Sequence, residues 1–201
     1  MRDRLLKQAS RAYDPQPRLA LLVVAGMIFV IILPLTLLRL GGRLDRGLGW
    51  SASASAVRTP GGLCPPLNAI IGGLMILAGW PFALWSIYVQ FTRGRGTPVP
   101  VMATQKLIVR PPYSYCRNPM ALGTIVAYLG LSVSAGSPGA ALLVAVGAVA
   151  LLTYIRLVEE KEMVARFGEA YLAYRRRVPF IIPRLRRSSW EARFRRLPGN
   201  W

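Results

Sequence analysis

Residues 119–155 read PMALGTIVAYLGLSVSAGSPGAALLVAVGAVALLTYI and contain no charged side chain. The four residues 136–139, Gly-Ser-Pro-Gly, have a composition typical of a tight turn. They divide the stretch into two apolar segments, 119–135 and 139–155, each near the lower length limit for crossing a bilayer. Small residues recur in both segments and favour close helix packing. The stretch therefore predicts a helical hairpin in a membrane, packed through Gly123, Ala127, Gly147 and Ala148.

Two further apolar segments precede this hairpin. Leu19 to Leu38 is 20 residues long without a charge, and Leu67 to Phe91 is also uncharged, with Pro81 inside it. Either could cross a hydrocarbon core of about 30 Å. The first exceeds the apolar core of a signal peptide, and no small-residue cleavage site follows directly, so we expect a retained helix. The predicted fold class is all-α, a polytopic membrane helix bundle of about four transmembrane helices.

Charge is segregated along the chain. Lys and Arg number 26 against 8 Asp and Glu, giving a formal net charge of +18. Basic residues flank the apolar segments, as expected because a charge at mid-membrane costs several kcal/mol. This pattern favours topology and contact with anionic lipid head groups over a nucleic-acid partner. An even number of spans and the positive-inside rule predict a multi-pass protein of a bacterial inner membrane with both termini cytoplasmic.

The absence of histidine restricts the chemistry. It excludes His-based general bases, Ser-His-Asp triads and His-ligated metal or haem. The two cysteines, Cys64 and Cys116, supply neither a disulfide framework nor a zinc signature, so no metal site is predicted. Cys116 is expected to be a small packed thiol.

The chain is predicted to form one integrated membrane domain. Residues 1–91 would hold an N-terminal arm and two transmembrane helices, and residues 92–201 a loop, the hairpin and a C-terminal cytoplasmic amphipathic helix. Leu40 to Pro66 is rich in Gly, Ser, Ala and Pro and predicts an irregular loop. Helical spacing predicts the amphipathic helix over Val158 to Tyr174, with Val158, Met163, Phe167, Tyr171 and Tyr174 on one face.

Two groups of polar residues flank the hairpin. Pro119 suits the first turn of a helix, which makes Asn118 its N-cap beside exposed N–H groups, and Arg117 adds a fork of donors for an anion. With Tyr113 nearby, this is a candidate cofactor seat, although the loop could equally be a plain connection. After the hairpin, Arg156 and Glu160 could simply pair at i,i+4. Alternatively, Glu159 or Glu160 faces an interfacial cleft and Arg156 holds an anionic acceptor.

The order of these motifs carries a family resemblance. PYSYCRNPM at 112–120, Glu159-Glu160, FGEAYLAY at 167–174 and Val178-Pro179…Pro183 together resemble the isoprenylcysteine carboxyl methyltransferase and phospholipid methyltransferase superfamily of integral membrane methyltransferases. The resemblance covers roughly residues 96–183. Where the family pattern has Gly, His and Tyr, this chain has Pro111, Asn118 and Ala121.

The resemblance implies S-adenosylmethionine as cofactor and methyl transfer to a lipophilic acceptor, either a prenyl-type carboxylate or a phospholipid amine, at the cytoplasmic face. Two alternatives stay open: a catalytically silent lipid-binding membrane module and an NADPH-dependent membrane reductase of related fold. Arg156 would orient the acceptor, and Glu160 would act as base for an amine acceptor. The implied cofactor-binding residues are Tyr113, Arg117, Asn118, Pro119 and Glu159.

Overall fold

The computed structural model describes residues 24, 26–50, 67–94 and 106–184, and within these ranges the regular structure is entirely helical. This confirms the all-α class. Two π-helical turns interrupt the sequence of α-helices, one at Ile28–Ile32 and one at Ile155–Glu159. The α-helices are α1 (Leu33–Gly47), α2 (Leu67–Gly94), α3 (Pro119–Ser134), α4 (Pro138–Tyr154), α5 (Glu160–Phe167) and α6 (Glu169–Arg177).

Two of the described helices are long and apolar enough to cross a membrane. One is α2, and the other is the continuous helix Pro138–Phe167, formed by α4, the second π-helical turn and α5. Helix α3 is apolar but shorter. The segments predicted at 67–91, 119–135 and 139–155 are therefore all helices. The predicted first span, Leu19 to Leu38, lies partly outside the described residues, so the count of four spans stays a prediction.

Helix α1 extends further than its composition indicates. Its residues 40–47 are helical, and the expectation of an irregular loop beginning at Leu40 is wrong there; residues 51–66 lie outside the described residues. The buried carboxylate of Asp45 accepts hydrogen bonds from the Gly139 N–H at 2.6 Å and from the Ser137 hydroxyl. Gly41 lies directly against the backbone of Ala140. These tertiary contacts hold the end of α1 against the start of α4.

The closest helix packing joins α2 to α3. A methyl group on Gly79 would lie 2.6 Å from both the Ala127 nitrogen and the Gly123 oxygen, so neither backbone leaves room for a side chain. Gly123 and Ala127 do lie at a close helix contact, but their partner is α2, so the prediction that they pack the hairpin is wrong. Gly147 is not part of a packed hairpin, because the space around it is open. Helix α4 makes its close approach to α1 instead.

Pro34, just after the first π-helical turn, leaves one carbonyl of that turn without a backbone donor. Pro34 has no N–H, so it cannot supply the hydrogen bond that the Phe29 carbonyl would receive in a π-helical turn. The hydroxyl of Tyr128 on α3 donates to that carbonyl. A backbone carbonyl left without a donor costs about 1 to 3 kcal/mol. Tyr128 therefore compensates for Pro34 across the bundle.

We expect Tyr128→Phe to lower the free energy of unfolding by about 1 to 2 kcal/mol, because the Phe29 carbonyl loses its donor while the ring packing is retained. Denaturation of the purified protein in mixed micelles measures the change. Tyr154→Phe, at an exposed tyrosine on α4, is the matched control and should change the free energy by less than about 0.5 kcal/mol. Equal effects of the two substitutions would contradict this account of the turn.

The C-terminal amphipathic segment consists of two helices rather than one. Gly168 separates α5 from α6. Its backbone has φ 53° and ψ −132°, a conformation that residues other than glycine rarely adopt. Val158, predicted to share the apolar face, is 46% exposed. The other predicted face residues do join one hydrophobic cluster. Its members include Leu107, Val109, Met163, Val164, Phe167, Tyr171, Tyr174 and Val178.

Candidate functional site

The loop before α3 is held by the chain that follows α6. We call residues Val178–Arg184 the C-terminal strap. The Arg117 N–H donates to the Pro179 carbonyl at 2.9 Å, and the Arg184 N–H donates to the Tyr115 carbonyl at 3.0 Å. The strap therefore lies along the loop immediately before the N-terminus of α3.

A buried glutamate connects this loop to α5 and α6. Glu160 is only 4% exposed, and its Oε1 forms an ion pair with Nη1 of Arg117, whose side chain is 11% exposed. Its other oxygen, Oε2, lies 3.6 Å from Nε of Arg175. Both carboxylate oxygens thus face arginines from different parts of the chain.

The second π-helical turn explains why Glu160 faces inward. The turn ends at Glu159, which is exposed, and a π-helical turn rotates the side chains that follow relative to an α-helix. Of the two readings left open for Arg156 and Glu160, the i,i+4 pair assumed α-helical geometry and is not formed, because Glu160 pairs with Arg117 and Arg175 instead.

One strap residue contacts three of the predicted site residues. The ring of Phe180 lies 5.5 Å from the guanidinium carbon of Arg117 and 5.9 Å from that of Arg156. Its carbonyl accepts a hydrogen bond from the Asn118 Nδ2 at 3.0 Å. Asn118 stands at the N-cap position of α3 as predicted, but its side chain does not cap the helix because the strap engages it.

Tyr113 is directed towards α2. Its hydroxyl lies 3.1 Å from Gln90 Oε1 and 3.3 Å from the Ser86 carbonyl, while its own carbonyl accepts from the Tyr174 hydroxyl at 2.6 Å. Burial raises the pKa of Tyr113, so the hydroxyl keeps its proton and acts as a donor. This residue joins α2 to α6.

The structure brings together four of the seven predicted site residues, and Pro119 follows one of them directly in the chain, whereas two others point elsewhere. Arg117, Asn118, Arg156 and Glu160 meet around Phe180, whereas Glu159 is exposed and Tyr113 faces α2. Pro119 is fully buried as the first residue of α3. The sequence interpretation missed Phe180, Arg175 and Tyr171, whose hydroxyl lies near Arg117. The i,i+4 spacing of Tyr171 and Arg175 on α6 was the available signal.

Two buried polar side-chain atoms lie in the loop just before α3. Arg117 Nε and Ser114 Oγ are buried polar atoms without a hydrogen-bond partner among the described residues. A buried donor left in this state costs about 1 to 3 kcal/mol. The N-terminus of α3, which lacks a side-chain cap, adds the positive end of a helix dipole. The carboxylate of a ligand would satisfy both features.

Cys116 is fully buried within the loop, as predicted for a packed thiol. Burial raises the pKa of the Cys116 thiol to about 11, so only a very small fraction of it is thiolate near pH 7. In a Cys64→Ser background we therefore expect Cys116 to react with maleimide roughly a hundredfold more slowly than a free thiol at pH 8, and faster as pH rises towards 11. The same protein in denaturant is the control. Rapid labelling of the folded protein would contradict this prediction.

Comparison with known proteins agrees with this architecture. The model of the phospholipid methyltransferase family matches residues 67–170, from the start of α2 to the start of α6. The chain is also 31% identical over 105 residues to methanethiol S-methyltransferase 2 of Bradyrhizobium diazoefficiens. That alignment covers 52% of this chain and 38% of the relative, so the chain spans well under half of the relative's length. No solved structure matches.

The family match covers just over half of the chain and includes both long apolar helices, Arg117, Asn118 and Glu160. The chain belongs to the phospholipid methyltransferase family.

Proposed function

We propose that the protein transfers a methyl group from S-adenosylmethionine to a lipophilic acceptor at the cytoplasmic face of the membrane. The family membership and the apolar helices support this proposal. The main support for it is the placement of Arg117. Its guanidinium pairs with Glu160 beside the start of α3, which has no side-chain cap. Its buried Nε donor has no acceptor among the described residues.

The cofactor would bind around that arginine. Arg117 and the first turn of α3 would hold its carboxylate, with Asn118 and Pro119 forming the adjoining wall. The exposed carboxylate of Glu159 would accept hydrogen bonds from the ribose hydroxyls. Tyr113 would fix the loop to α2. When bound, S-adenosylmethionine supplies an electrophilic methyl group on a sulfonium. The contribution of these residues is binding, orientation and exclusion of water.

The charge of the site favours an acceptor that reacts as an anion. Arg117 and Arg175 face the buried carboxylate of Glu160, and a third arginine, Arg156, lies against the Phe180 ring. The surplus positive charge would stabilise a prenyl-type carboxylate, or a thiolate like the one implied by the name of the methanethiol methyltransferase relative. Arg156, exposed near the end of the long helix, would orient that acceptor.

A phospholipid amine is the second acceptor class. An amine must lose a proton, and Glu160 is the proposed base. Both of its oxygens face arginines, so this role requires one ion pair to open first. Arginines Arg175, Arg176 and Arg177 at the exposed end of α6 would contact anionic head groups and hold the site at the membrane surface.

The proposal is tested with purified protein in anionic vesicles and a methyl-labelled donor. A long-chain thiol, a prenyl carboxylate and phosphatidylethanolamine are supplied in parallel. We expect label in an anionic acceptor and a loss of at least tenfold in Arg156→Ala, because the acceptor loses its orienting charge. Lys161→Ala, an exposed cation on α5, should leave the rate unchanged. Folded protein that labels none of the three would contradict the proposal, and NADPH binding would then identify the reductase alternative.

A further inference from the structure

Phe180 of the strap contacts polar groups from two other segments of the chain. Its ring contacts guanidinium groups from the loop and from the second π-helical turn, and its carbonyl accepts from the Asn118 amide. Both ring-to-guanidinium distances are within the roughly 6 Å range of a cation–π contact. One apolar residue of the strap therefore contacts both of the arginines to which the proposed function gives separate tasks.

The strap itself is attached independently of this ring. Two backbone hydrogen bonds, from Arg117 to Pro179 and from Arg184 to Tyr115, hold it on either side of Phe180. Val178 is buried in the hydrophobic cluster with Tyr171 and Tyr174 and anchors its start. Removing the aromatic ring should therefore leave the strap in place and change only what the ring contacts.

The guanidinium groups of Arg117 and Arg156 repel each other, so some attraction must hold both of them against the Phe180 ring. Arg117 is held by Glu160, but no ion pair holds Arg156 among the described residues, and the face of Phe180 supplies the attraction that fixes its guanidinium. Arginine binds aromatic faces well because its planar guanidinium is weakly hydrated. The ring thus contacts both cations.

We propose that Phe180 is a positioning residue, which holds Arg117 for the cofactor carboxylate and Arg156 for the acceptor at a fixed separation. This inference rests on the proposed function and extends it to a residue outside the region that the family model matches. An aromatic ring at position 180 is the requirement, since an aliphatic residue of similar size provides no attraction for a cation.

The test compares Phe180→Leu with Phe180→Tyr, which restores the ring. The matched control is Ile182→Ala, on the same strap but 76% exposed. Binding of S-adenosylhomocysteine is measured by calorimetry, and the melting temperature is recorded for each variant. The reaction of arginines with phenylglyoxal, followed by mass spectrometry without any ligand, reports directly on the guanidinium groups.

We expect Phe180→Leu to weaken S-adenosylhomocysteine binding about five- to tenfold and to speed modification of Arg117 several-fold, at a nearly unchanged melting temperature. Phe180→Tyr and Ile182→Ala should match the wild type in all three measurements. If Phe180→Leu fails to fold, Phe180→Met serves in its place.

The outcomes separate this inference from the function beneath it. If the wild type binds S-adenosylhomocysteine, and Phe180→Leu changes neither this binding nor the rate of arginine modification, the positioning role is overturned. The proposed function would still stand. A folded wild type that binds no S-adenosylhomocysteine would remove the proposed function and this role with it. Equal weakening in Phe180→Leu and Phe180→Tyr would also overturn it, because the ring would then not be the requirement.

Discussion

Glu160→Ala is expected to lower the free energy of unfolding by about 3 to 5 kcal/mol, because it leaves the nearly buried guanidinium of Arg117 without its counter-charge. The larger part of the loss belongs to Arg117, since Arg175 is much more exposed and its pairing at 3.6 Å is screened by solvent. S-adenosylhomocysteine binding should also disappear, because Arg117 loses the group that fixes it. Denaturation in mixed micelles and calorimetry give the two readouts.

Glu162→Ala is the matched control for this experiment. Glu162 is on the same short helix, its side chain is 53% exposed, and it pairs with Arg166 at 3.5 Å. An exposed i,i+4 pair of this kind contributes about 0.3 to 0.5 kcal/mol. If Glu160→Ala proved no more harmful than Glu162→Ala, the buried ion pair could not be the centre of the site.

Gly79→Leu is expected to abolish the packing of α2 against α3, and with it the recovery of folded protein from the membrane. The backbones meet at this glycine, so a leucine side chain has no space that a rotamer change could open. Gly79→Ala should cost about 1 to 3 kcal/mol, because even one methyl group meets the Ala127 nitrogen and Gly123 oxygen. Size-exclusion profiles and melting temperatures in detergent measure both variants.

Gly73→Leu supplies the comparison, on the same helix but facing open space. Its side chain would lie in lipid or detergent, where an apolar residue is well tolerated. We expect a melting temperature close to that of the wild type. A Gly79→Leu protein as stable as Gly73→Leu would show that the helices do not depend on close backbone contact.

The helices inside the membrane could be predicted because lipid imposes a simple rule. A span must satisfy its own backbone and exclude charge, so the long uncharged stretches that form α3, α4 and most of α2 are visible without tertiary information. The end of α1 follows no such rule. Its last turns depend on Asp45, whose carboxylate accepts a hydrogen bond from the Gly139 N–H, 94 residues further along the chain. The sequence does not reveal this contact, and the glycine-rich composition predicted a loop.

The order of the motifs along the chain predicted only part of the candidate site. Arg117, Asn118 and Glu160 were identified by their order along the chain, and the structure places them together. Phe180 was missed because a cation–π contact between distant segments leaves no spacing in the sequence. The choice between Glu159 and Glu160 required the π-helical turn, whose rotation no α-helical periodicity anticipates.

The central claim is that Arg117 and the start of α3 form a binding site for S-adenosylmethionine. Calorimetric titration of the purified protein with S-adenosylhomocysteine in lipid-containing detergent tests it most directly. The account predicts micromolar binding that is lost in Arg117→Ala and retained in Lys161→Ala, with all three proteins shown to be folded by their melting curves. Absence of binding by the folded wild type, or binding that survives Arg117→Ala unchanged, would contradict it.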